Sequence, residues 1–122
     1  MSTPPLSPSP VPQSSLVALQ AGAVVSRTLV KAPGGTVMAF AFDMGEALSE
    51  HSAPFDALVL GVEGTAEVTI SGTPHQVSAG EILRLPANEP HALRATTPFK
   101  MILVMVKAGR KTRHPDGGGV AP

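Results

Sequence analysis

The fold class follows most directly from residues 57–74, which read ALVLGVEGTAEVTISGTP. Residues 57–62 and 66–70 are rich in apolar and β-branched side chains and have the length of ordinary strands. Each is followed by turn-forming residues, at 63–64 and again at 71–74, that tolerate positive φ or pre-set a bend. The stretch therefore predicts antiparallel hairpins.

The same punctuation continues on both sides of this stretch. Between residues 16 and 107, no more than ten consecutive residues escape both Gly and Pro, so a helix of ordinary length has little room. Further strands are predicted at residues 24–31, 36–42, 82–85 and 100–107, with a turn at 32–35. Several short strands at regular spacing are typical of an all-β sandwich or barrel.

The last predicted strand is apolar on both faces, since residues 101–106 read MILVMV. One face is expected to line a barrel, and the other to pack against a second sheet or a second subunit. The sequence therefore predicts a homodimer.

Length and composition restrict the possible partners. With 122 residues and 43% apolar content, the chain suits one domain with one core. Nine basic and nine acidic residues give a formal charge of zero, which predicts neither a nucleic-acid nor a membrane partner and favours a small-molecule ligand. The absence of cysteine excludes disulfides and thiolate metal sites. The first residues lack a basic and apolar leader, so a cytoplasmic location is expected.

Both ends of the chain differ from its middle in composition. Residues 1–15 hold five prolines and five serines, and residues 108–122 are rich in Gly and basic side chains. Neither composition buries enough apolar surface to order itself. Flexible tails are therefore expected at 1–15 and 108–122, around a folded body at 16–107.

Two segments of this body carry glycines and histidines at a distinctive spacing: Gly45, His51 and Gly64 in the first, and Gly80, Pro86 and His91 in the second. They resemble the two sequence motifs of the cupin superfamily. The chain is similar to the small single-domain cupins of the type-2 conserved barrel, RmlC-like group, and within it to an uncharacterised stand-alone subgroup. This resemblance implies a double-stranded β-helix, the antiparallel jelly-roll barrel of cupins.

The resemblance also implies a metal centre, in which histidines and a carboxylate or amide hold a divalent ion. Ala53 and Ala57 stand at two of the four ligand positions, so His51 and His91 form an incomplete candidate set for Fe, Mn, Ni or Zn. Side chains alternate along a strand, so Asp56 or Glu50 would complete a triad only if Pro54 breaks the strand and resets its parity.

The candidate pocket residues are the two motif histidines and their expected neighbours: His51, His91, Asp56, Phe40 and Met101. Met38, Phe42, Met44 and Met105 are expected either in an apolar pocket wall or in a plain core. His75 and His114 lie outside both motifs and are interpreted as structural or surface residues. The chain has no Trp or Tyr on which a sugar ring would stack, which disfavours a lectin.

Three functions remain open from the sequence. A binding module would hold a small organic molecule in the barrel and orient it with His51 and His91. A metal-dependent or histidine-dependent enzyme would use the same residues for oxygenase, isomerase or decarboxylase chemistry. A purely structural dimer would have a filled barrel. The two missing ligand positions favour the binding module.

Overall fold

The computed structural model describes residues 6–107, so the predicted basic tail at 108–122, with His114, lies outside the described residues. The described chain has a short 3₁₀ turn, Gln13–Ser15, followed by strands only. None of its helical segments has the length and apolar content needed to cross a bilayer. The strands are β1 (Val24–Ala32), β2 (Gly35–Phe42), β3 (Ala47–His51), β4 (Asp56–Glu63), β5 (Thr65–Ile70), β6 (Thr73–Ser78), β7 (Ile82–Leu85), β8 (His91–Ala95) and β9 (Phe99–Val106).

The strands form two antiparallel sheets. One has the order β1-β2-β9-β4-β7 and the other the order β3-β8-β5-β6. The prediction of an all-β chain with antiparallel strands is confirmed. Strands β3, β6 and β8, all in the second sheet, are additions to the six predicted strands. They were missed because β3 and β6 are mostly exposed and have little apolar patterning, while β8 follows a proline-containing loop.

The core lies between the two sheets and is built from alternate residues of each strand. On β9, Phe99 and Met101 are buried in it, and Leu103 and Met105 pack against it. Phe42 and Phe99 are the largest fully buried side chains, and their ring centroids are 6.0 Å apart. Residues of the second sheet close the other side, including Ala66, Val68, Leu93 and Ala95.

The segment before β1 packs on the outer face of the first sheet. Leu16 and Val17 are buried there, in a second cluster that includes Ile102 at its edge. Two cations hold the segment in place, since Arg27 donates to the Leu16 carbonyl oxygen at 3.1 Å and Lys100 donates to that of Ser14 at 2.8 Å. The 3₁₀ turn Gln13–Ser15 thus lies next to the first sheet, and the predicted boundary at residue 16 stays a prediction. Part of the outer face of β9 is covered by its own chain, and the homodimer stays a prediction.

Candidate functional site

The two motif histidines lie side by side at one end of the barrel. His51 is the last residue of β3 and His91 the first of β8, and the two are register partners after an irregularity that follows Leu48. Their ring centroids are 4.5 Å apart and the rings meet edge to face at 68°. His51 is exposed and His91 half-buried, so this end of the barrel reaches solvent.

Backbone carbonyl groups fix the tautomer of both rings. Nδ1 of His51 lies 3.0 Å from the carbonyl oxygen of Ser49, and Nδ1 of His91 lies 3.2 Å from that of Glu89. A carbonyl oxygen only accepts hydrogen bonds, so Nδ1 is the donor in each case. In the neutral form of either imidazole, Nε2 then carries a lone pair and accepts a hydrogen bond or binds a cation.

Behind the histidines, the barrel holds a cavity of about 290 Å³. Apart from the two imidazoles, its lining is apolar: Met38, Phe40, Leu48, Val59, Val68, Leu85, Ala92, Leu93, Met101, Leu103 and Met105. This volume is about twice that of an engineered apolar cavity of roughly 150 Å³ that binds benzene. A purely structural dimer would have required a barrel filled by side chains. The interior of this barrel is not filled.

Four of the five candidate pocket residues line this cavity: His51, His91, Phe40 and Met101. Met44, the uncertain wall residue, is 62% exposed and lies outside it. The sequence did not single out Leu48, Val59 or Leu103. Strand parity could have indicated two of them. Val59 lies two residues from Ala57, and Leu103 two residues from Met101, each on the inward face of its strand.

Asp56 departs from the expectation, since it is not among the residues that line the cavity. Its Oδ1 accepts a hydrogen bond from the amide of Ala87 at 2.9 Å and lies 3.8 Å from Nε of Arg84. Asp56 directly precedes inward-facing Ala57, so alternation along β4 turns its carboxylate away from the cavity. Asp56 thus fastens the loop between β7 and β8 to the start of β4.

That loop leads into His91, the first residue of β8, and contains a residue with positive φ. Asn88 has a φ of 66°, in the left-handed region that Gly and Asn adopt at least cost. The backbone N–H of Asn88 donates a hydrogen bond to the carbonyl oxygen of Ala53 at 2.7 Å, which links the loop to the segment after His51. Asn88 therefore holds this backbone shape without a glycine.

The described residues do not provide the ligand set of an ordinary catalytic metal centre. Such centres use three protein ligands, for example two histidines and a carboxylate. Within residues 6–107, no group of three His, Cys, Asp or Glu side chains is placed to hold one ion. His51 and His91 offer two Nε2 atoms, while Ala57 is buried in the core and Asp56 is engaged elsewhere. The residues present do not fit a three-ligand centre.

Burial lowers the pKa of His91 below its ordinary value of 6.5. Desolvation is the largest cause, and a charge on nearby His51 acts in the same direction, whereas the hydrogen bond to the Glu89 carbonyl opposes both. The neutral imidazole of His91, with its free Nε2 lone pair, is thus the favoured form in the folded protein.

Protonation of His91 is expected to make the protein less stable in acid. Because the pKa of His91 is lowered on folding, the unfolded chain binds more protons between the two pKa values, and stability rises with pH there. The contribution is complete above about pH 6.5, the pKa of a solvated imidazole, and is lost as the pH falls through the folded-state pKa. Urea unfolding of the His91→Gln variant should show a weaker pH dependence than the parent protein between pH 7.5 and 5. A matched variant of exposed His75, His75→Gln, should keep the parental dependence. An unchanged dependence in His91→Gln would contradict the assignment.

Comparison with known proteins identifies the family. A cupin domain matches residues 38–107. A conserved protein of unknown function from Streptococcus pyogenes is 34% identical, with a TM-score of 0.81 over 85% of this chain and 91% of that one. A cupin 2 conserved barrel domain protein from Leptotrichia buccalis is 42% identical, with a TM-score of 0.73 over 75% of this chain and 45% of that one.

An enzyme is also among the relatives. The chain is 37% identical over 75 residues to the dimethylsulfoniopropionate lyase DddW of Ruegeria pomeroyi. The aligned region covers 57% of this chain and 49% of that protein. The match thus spans about half the length of this curated relative. The domain match, the similar barrels and the antiparallel jelly-roll topology agree with the motifs in the sequence. The chain therefore belongs to the cupin domain family and has its double-stranded β-helix fold.

Proposed function

We propose that this protein binds a small, mainly apolar organic molecule inside the barrel, with the polar end of the ligand at His51 and His91. The observation that carries this proposal is the apolar cavity of about 290 Å³ with two imidazoles at one end. Small-molecule sites in proteins have this character, an apolar lining with a few convergent polar groups.

The size of the cavity limits the ligand to a small molecule. About 290 Å³ is near the lower end of the range for ligand pockets, roughly 300–1,000 Å³, and suits a body of one or two rings or a short alkyl chain. Three methionines line it, Met38, Met101 and Met105, and their unbranched side chains adjust to ligands of different shape.

Indole is a suitable first probe because it is small, apolar and carries one polar group. Titration of protein labelled with ¹³C in the methionine methyl groups should give saturable shifts at Met38, Met101 and Met105. Met44 is the internal control, since it is 62% exposed and should not shift. Absence of saturable shifts at the three cavity methionines with indole, and likewise with benzofuran and phenylacetate, up to the solubility of each, would contradict the proposed function.

A lyase is the second candidate, favoured by the similarity to DddW. A free Nε2 lone pair on either histidine is suited to accept a proton from a substrate. Dimethylsulfoniopropionate itself carries a sulfonium and a carboxylate, and none of the described cavity-lining residues is Asp, Glu, Lys or Arg. This favours the binding of a less polar molecule. Consumption of dimethylsulfoniopropionate by the protein, and its loss in His91→Gln, would support the lyase instead.

A further inference from the structure

The two histidines present hydrogen-bond acceptors to the cavity. Both Nδ1–H groups are used by the carbonyl oxygens of Ser49 and Glu89. Neither Nε2 atom has a hydrogen-bond partner among the described residues, and both rings line the cavity. A neutral pair of this kind has two lone pairs to offer a ligand and no N–H to donate to it.

The charges near the two histidines also affect which ligands the cavity accepts. Neither Lys nor Arg is among the described residues that line the cavity, so the lining has no fixed positive charge that would pair with an anionic ligand. Glu50 and Glu89 precede the two histidines by one and two residues, and both are exposed. The apolar walls disfavour any charged group that lacks a partner, as an anionic ligand would in this cavity.

From this arrangement we infer that the protein selects uncharged ligands that donate a hydrogen bond, an N–H or O–H group on a small apolar body, over isosteric molecules without a donor. This inference rests on the proposed function and adds the chemical class of the ligand. The donor binds Nε2 of His51 or His91, and the apolar body occupies the space between Phe40, Leu103 and Met105. A molecule without the donor leaves both lone pairs unpaired, at a cost in affinity.

Indole and benzofuran test this inference, because they have the same shape and differ by an N–H group in place of an oxygen. In methionine-methyl titrations, indole should bind about five- to tenfold more tightly than benzofuran, as one hydrogen bond predicts. The His51→Phe and His91→Phe variants keep an aromatic ring but remove the acceptor. At least one of them should bring the ratio close to one, chiefly by weakening indole, and His75→Phe is the matched control that should keep the parental ratio.

Each other outcome contradicts a defined part of the account. Equal affinities of indole and benzofuran for the parent protein would overturn the donor preference while leaving the proposed function intact. So would a ratio that survives in both histidine variants, or tighter binding of the anion phenylacetate than of indole. Binding of none of the three probes would overturn the proposed function itself. Because benzofuran needs no acceptor, its unchanged affinity in a histidine variant also shows that the variant is folded.

Discussion

The Gly64→Ala substitution should be among the most destabilising single changes in the chain. Gly64 forms the turn between β4 and β5 and has a φ of 75°. A Cβ at this position would overlap the carbonyl oxygen of Pro98 and lie 2.7 Å from Oγ1 of Thr97. The turn therefore touches the segment that leads into β9, and relief of the overlap would require one of the two backbones to move.

Gly72→Ala is the matched control for this prediction. Gly72 has a similar φ of 84°, but a Cβ there would meet no atom within 4 Å. Both variants lose about 1–2 kcal/mol from an L-residue in the left-handed region. The overlap adds a further cost at Gly64 only, which we expect to exceed about 2 kcal/mol, in the range of severe overpacking.

Urea unfolding followed by far-ultraviolet circular dichroism measures both costs, since the chain has no Trp or Tyr for intrinsic fluorescence. The expected result is a small loss of unfolding free energy in Gly72→Ala and a much larger one in Gly64→Ala. Failure of Gly64→Ala alone to fold would have the same meaning. Equal losses in the two variants would show that the close approach to Pro98 is unimportant.

Leu103→Trp should abolish most of the binding of indole. Leu103 lines the cavity from β9, where it packs against the core, and a Trp at this position places its own indole ring in the space proposed for the ligand. We expect the affinity for free indole to fall by more than about tenfold, the change that 1.4 kcal/mol produces. Isothermal titration calorimetry measures the effect directly.

Val104→Trp is the control, because Val104 is the next residue of β9 and faces the opposite side of the sheet. It should bind indole like the parent protein. The new Trp is also the only strong fluorophore in either variant, and its emission should be that of a buried ring in Leu103→Trp and of a more solvated ring in Val104→Trp. Undiminished binding in a folded Leu103→Trp protein would place the ligand outside the barrel.

Whether a strand could be predicted depended on how apolar its own sequence is. The first and last residues of β9 and β2 were predicted to within one residue, because both strands are apolar and each is preceded by Gly or Pro. Strand β6 was missed because Thr73–Ser78 contains Pro74 and only Val77 is buried. Strands of this kind form through pairing with a neighbour that is already apolar, here β5, and their own sequence carries little signal.

The site was partly predictable for similar reasons. The motif spacing found His51 and His91, and the expected neighbours Phe40 and Met101 line the same cavity. Alternation along β4 already argued against Asp56 in the pocket, but its partner was not predictable, because the Ala87 amide that it binds lies in the distant loop between β7 and β8. The tautomers of the histidines could not be predicted from the sequence, because they depend on the positions of backbone carbonyl groups. Nor could the volume of the cavity, which depends on side chains from both sheets.

A crystal structure of the protein with indole bound tests the central claim most directly. The account predicts the indole ring inside the barrel between Phe40 and Leu103, with its N–H within hydrogen-bond distance of Nε2 of His51 or His91. Indole found only on the outer face of a sheet, with the cavity unchanged and both Nε2 atoms without a ligand, would contradict it.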